Sequence, residues 1–146
     1  MLNKVAIAAL VLIAAGGPAI AQDCGSLPIA PVIPTASEIQ SKTPADASTS
    51  QHNAYQDIKR WQADLKDYRA CLDSLTNSQK RDLQNEQGAS KPDKDKIKGI
   101  QDNIAQTSRA FDSSVDTEEK VVNEFHAMQT AYCSRQDVNR ASCPKT

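Results

Sequence analysis

The chain has 146 residues, of which 24% are charged and only 4% aromatic, and its formal net charge is −1. That near-neutral balance gives no electrostatic footprint for nucleic acid, and so little aromatic material argues against a layered globular core. An elongated shape with covalent bracing is the better expectation, and four cysteines are available to supply it.

Residues 1–21 have the layout of a Sec-type signal peptide: Lys4, an apolar run from Val5 to Ala15, the break Gly16-Gly17-Pro18, then Ala19-Ile20-Ala21 before Gln22. The run is shorter than the roughly 20 residues needed to cross a bilayer. Cys24 does not directly follow the small-residue site, which argues against a lipoprotein. Cleavage after Ala21 leaves about 125 residues, one domain's worth, with Lys4 removed and a net charge of about −2. The expected location is periplasmic or secreted, with no transmembrane segment after cleavage. Four cysteines in an exported chain pair as disulfides by default. None stands in the CxxC spacing of a redox, haem or zinc motif.

Residues 22–43 form a proline-rich strip in which Pro28, Pro31 and Pro34 recur at the three-residue repeat of polyproline II. In that conformation Leu27, Ala30 and Ile33 share one edge, and Ile29 and Val32 share another. Two apolar edges suit a strip docked on the protein better than a free tether. The competing reading is a PxxP ligand for another protein. Thr35 with Glu38 fits a capping box, which predicts a single helical turn after the strip.

The spacing predicts helical structure over 44–134, with a turn near 88–92. Thr43-Pro44-Ala45-Asp46 offers an N-cap, a proline at the first helical position and an acid at the third. The opening turns from Ala47 to Asn53 are weak helix formers and are expected to fray. From Ala54 a heptad takes over: Ile58, Trp61, Leu65, Tyr68, Leu72 and Leu75 are spaced three then four apart, a coiled-coil seam. It passes polar Gln79, recovers at Leu83 and ends at Gly88. Ser90, Pro92 and Asp93 signal the second helix, whose stripe is Ile97, Ile100, Ile104, Thr107, Phe111, Ser114, Glu118, Val121, Phe125, Met128 and Tyr132.

An antiparallel register centred near Ala89 sets Leu75 against Ile104, Tyr68 against Phe111, Leu65 against Ser114 and Ala54 against Phe125. At several levels, as at Leu65 with Ser114 and Ala54 with Phe125, a large residue then faces a small one, which is how a narrow seam fills without voids. Glu118 falls near Trp61 and is the misfit, expected to turn outward or to pair with a base, Arg60 being within reach. Residues 135–146 read as a tail stapled back on the helix end.

The register also constrains the cysteines, because Cys71 lies mid-hairpin and Cys133 at the open end. From Cys24 to Ala36 a polyproline strip covers about 37 Å, and from Cys71 back to Asp46 a helix covers about the same. Matching lengths favour Cys24 with Cys71 and Cys133 with Cys143. Cys24 with Cys133 or with Cys143 stays open. A strip ending at Cys71 would occupy the side where the second helix offers small Ala110, Thr117 and Ala131. The opposite side would keep Tyr55, Leu83, Val115 and Val122 uncovered among Gln62, Arg69 and Gln101, and is the first place to look for a partner or a second copy.

Chemistry is sparse. His52, His126 and Glu124 come near one level, but both histidines sit outward and no third ligand-spaced residue accompanies them. Glu124 and His126 are two apart, so the Glu-x-x-His pattern of a di-iron bundle is absent. No Gly-x-Ser-x-Gly elbow occurs. The tip, Lys91 to Lys98 with Lys80 and Arg81 nearby, is either a solvated run of mixed charge or a contact for an anionic surface. The expectation is an all-α protein: a long antiparallel two-helix, coiled-coil-like hairpin with a polyproline strip along it and two disulfides. It would act by protein–protein binding or scaffolding, with no catalysis, no cofactor, no metal and no small-molecule ligand. A holdase-like chaperone or self-assembling bundle is the alternative, and a metal-binding bundle the third.

Overall fold

The computed structural model describes residues 24–143. Residues 1–23, which include the segment 1–21 read as a signal peptide, and the last three residues lie outside them. Among the described residues the chain is mostly helical, without strands: α1 (Ala36–Ser41), α2 (Pro44–Gln87), α3 (Lys94–Cys133) and a closing 3-10 turn (Arg140–Ser142). No described helix is long and apolar enough to cross a membrane.

Local sequence sets each boundary. Thr35 and Glu38 form both halves of a capping box on α1, which runs until Lys42 turns extended. Thr43 then caps α2 by accepting from the Asp46 N–H, with Pro44 in the first turn, where its missing N–H costs nothing. The opening turns of α2, expected to fray, are instead closed. Ala47 and Gln51 are buried and Ile39 of α1 is fully covered in the same core, so tertiary cover outweighs weak propensity there. The second long helix also starts later than Ser90: its cap is Asp93, whose carboxylate accepts from the N–H groups of Asp95 and Lys96. A residue before proline is pushed out of the helical region, so Lys91 and Pro92 remain in the turn.

Side-chain contacts between α2 and α3 step down one helix as they step up the other. Lys96 pairs with Glu86, the Thr107 hydroxyl donates to Gln79 (3.3 Å), Arg69 Nε donates to Ser114 (2.8 Å), and the Tyr55 and Phe125 rings lie 6.3 Å apart. The core is concentrated at the end where α1 and the tail pack on the long helices: Ile33, Ile39, Ala47, Ala54, Ile58, Trp61, Leu65, Val121, Met128 and Tyr132 form one cluster. Towards the tip it thins, because no other described segment lies over the two helices there. Leu75, Leu83, Ile97, Ile100 and Ile104 are half-buried, and Gln79 with Thr107 fills the seam with a polar pair.

Two disulfides tie the segments flanking the long helices to them. Cys24 is joined to Cys71 across 47 positions, and Cys133 to Cys143 across 10. The tail is also held by the Tyr132 hydroxyl, which donates to the Asn139 carbonyl (2.9 Å), and by Arg140, which donates to the Cys133 carbonyl (2.7 Å). Arg135 donates to the carbonyls of Ile39 and Lys42, fastening α1 to the far end of α3.

Candidate interaction surfaces

Two sides of the α2–α3 pair differ in what covers them. On one lies the strip, running from Cys24 on Cys71 to Pro28, whose carbonyl accepts from the indole N–H of Trp61 (3.1 Å). Leu27, Ala30 and Ile33 face the core, as three-residue spacing demands of a shared edge. Ile29 and Val32 therefore point away, 93% and 92% exposed. No other large apolar side chains among the described residues are so bare, and they stand on a segment braced by a disulfide and a buried indole. Their common edge was visible in the sequence, but its outward direction depends on which neighbouring edge the core accepts.

Between the strip and α3 runs a groove of about 490 Å³. Its apolar wall includes Ala30, Ile33, Val121 and Ala127, and Lys120 and Glu124 stand at its edge. A second, more open depression continues along α3 past Asp116, Glu119 and Asn123.

The other side carries the four residues read as a partner surface. Tyr55 and Val115 are 45% and 43% exposed, and Leu83 and Val122 are half-buried. Tyr55 lies against Phe125, at the level of Val122, with the Lys59 ammonium over its ring (5.9 Å). Leu83 stands apart: at 1.5 Å per residue it is about 42 Å along α2 from Tyr55.

A polar network that the sequence reading assigned differently crosses this side. Glu118 pairs with Arg69, not with Arg60, and also accepts from Gln62 (2.9 Å). Arg60 forms an exposed pair with Asp57 on its own helix. The reason is the tilt of helical side chains towards their own N-terminus. In oppositely running helices Arg69 and Glu118 lean towards each other, whereas Arg60 leans away. Arg69 also bonds Ser114, which in turn donates to the Phe111 carbonyl (2.6 Å), and its guanidinium lies over the Phe111 ring. Its remaining terminal nitrogen is buried without a hydrogen-bond partner. The Arg69 hydrogen bond holds the Glu118 carboxyl below its ordinary pKa, with Gln62 adding to the effect and partial burial opposing it. Glu118 is thus neither a solvated surface acid nor an orphan charge in the seam.

At the tip, Glu86 is held ionised by its bond to Lys96 and by the Asp93 N–H (3.1 Å), and Lys98 pairs with Asp102 (2.8 Å). Two of the four lysines from Lys91 to Lys98 are thus locally answered. His52 and His126 are both exposed, and no group of three or more His, Cys, Asp or Glu among the described residues could hold a metal ion. The chain matches no protein-family model, no curated protein and no solved structure.

Proposed function

We propose that this protein is exported to the periplasm or secreted, and that it acts by binding or scaffolding another protein, without catalysis. Its body would be a long antiparallel helical hairpin over 44–134, clasped by the polyproline strip of 22–43 and closed by the tail of 135–146. Two disulfides suit an oxidising compartment. Opposed stepping of the α2–α3 contacts supports the hairpin, and the three-residue alternation of covered and bare side chains supports the strip.

The observation that carries the functional reading is the apolar surface beside the Arg69–Glu118 network, where Tyr55 and Val115 remain 45% and 43% exposed. Tyr55, Val115 and Val122 are spread along the helices, which suits a partner helix laid lengthwise, or a second hairpin, better than a small molecule. The test is Val115→Lys with Val122→Lys, which places two charges in the contact without touching the seam. The expected result is a folded protein that has lost its self-association or its co-purifying partner. Because Val122 is half-buried, Val115→Lys alone serves as the milder variant. A folded variant that keeps every association overturns the assignment. Half-buried Leu75, Leu83, Ile97, Ile100 and Ile104 favour a second reading, a bundle-forming or holdase-like protein. It predicts concentration-dependent oligomers that Leu83→Lys abolishes.

A further inference from the structure

We infer that the groove between the strip and α3 docks a cationic amphipathic helix from another protein. This surface is distinct from the one proposed above: Thr117, Val121 and Ala127 line it, while Val115 and Val122 lie across the seam. Three observations define the occupant.

First, the surface is apolar where it is deep and where it protrudes. Ile33 and Val121 lie in the wall, and Ile29 and Val32 stand 93% and 92% exposed beside it, a ridge and a trough of the kind into which the apolar stripe of a helix packs. The ridge is fixed in advance, because Cys24 is bonded to Cys71, Trp61 holds the Pro28 carbonyl, and the Thr35 capping box anchors the far end. Little ordering entropy is therefore lost on docking.

Second, an extended strand is a poor occupant. Pro28, Pro31 and Pro34 remove three N–H groups from the strip, so no ladder can form along it. From Thr117 to Ala127 the groove follows α3 for about 15 Å, which accommodates about three turns of helix.

Third, the rim is acidic. Asp116, Glu119 and Glu124 stand along the groove and its extension with one base, Lys120. Lys120 reaches Glu124 only at 3.9 Å, an exposed pair that leaves the rim's negative charge largely available. Two copies of this face would bring like charges together, whereas a helix flanked by Lys or Arg would answer them.

The experiment is calorimetric titration of the mature, oxidised protein with a synthetic 18-residue Leu/Lys amphipathic helix and with its Leu/Glu counterpart. The Leu/Lys peptide should bind, more weakly as salt rises, and the Leu/Glu peptide should not. Ile29→Lys with Val32→Lys, and separately Glu119→Lys with Glu124→Lys, should each weaken binding at least tenfold. All four sites are exposed, so circular dichroism should show unchanged folding. Val115→Lys, at an exposed site, should bind as wild type, which separates this surface from the other. Equal binding of both peptides, full binding by either groove variant, or dimerisation through Ile29 and Val32 that the Leu/Lys peptide does not compete would each overturn the inference.

Discussion

Replacing Cys24 and Cys71 together by alanine isolates what the clasp contributes. The bond closes a loop of 47 positions, the longer of the two, and the chain-entropy relation assigns it about 4 kcal/mol against about 2.7 kcal/mol for the 10-residue loop at Cys133–Cys143. Four kcal/mol is a large share of the stability of a domain this size. With a urea slope of about 1–2 kcal/mol/M, the midpoint should fall by about 2–4 M. Trp61 is the only tryptophan and its indole N–H is bonded to the strip, so its emission reports docking while far-UV circular dichroism reports the helices. Without the bond, the strip is held to the core by Leu27, Ala30, Ile33 and the Trp61 contact. The Trp61 transition should then precede the helical one in the variant and coincide with it in the wild type. An unchanged midpoint, or coincident transitions in both, would refute the claim that this bond braces the fold.

Leu65 is fully buried, so Leu65→Ala should cost about 3–5 kcal/mol in urea unfolding. Gln62→Ala should cost about 1 kcal/mol, because its amide bonds Glu118, and a loss equal to that at Leu65 would mean the seam is misassigned. Glu118→Gln should cost about 1–3 kcal/mol at neutral pH. Since Arg69 and Gln62 depress the folded pKa of Glu118, its contribution is complete above the unfolded glutamate pKa and disappears as pH falls through the folded value, so wild type and variant should converge in acid. A constant difference down to pH 2 would contradict this. Gln79→Leu with Thr107→Val exchanges a buried polar pair for apolar packing and should be neutral or stabilising by about 1 kcal/mol, whereas Thr107→Val alone, which takes the hydroxyl away from the buried Gln79 amide oxygen, should destabilise; Gln79→Leu alone should cost less, because the Thr107 hydroxyl keeps the Asn103 carbonyl (3.0 Å).

Most of the architecture could be read from pattern because its signals are periodic. Three-four spacing marked the stripes of α2 and α3, three-residue proline spacing marked the edges of the strip, and the capping box of α1 is a local motif with two reciprocal bonds. Cys24 and Cys71 could be matched by comparing two rises per residue over the separations that join them. What escaped depends on direction rather than period. On a flat register Arg60 lies at the level of Glu118, but it stands at an outward heptad position, whereas Arg69 flanks the seam and side-chain tilt carries it and Glu118 towards each other. Propensity suggested fraying at Ala47 because the cover supplied by Ile39 is a contact between separate elements. Likewise, the strip has two apolar edges, and nothing in the order of residues says that Ile29 and Val32 form the one left in water.

Site-specific photo-crosslinking in the native compartment probes the functional reading most directly. A benzophenone side chain at Tyr55 or Val115 replaces an exposed group without entering the seam, and the same probe at exposed Asp67, on the outer side of α2, serves as the reference. A protein that works by contact along the Tyr55–Val115 side should give discrete adducts, with a partner or a second copy, from Tyr55 and Val115 and none from Asp67. Adducts of equal yield from all three positions, or none from Tyr55 and Val115, would contradict it.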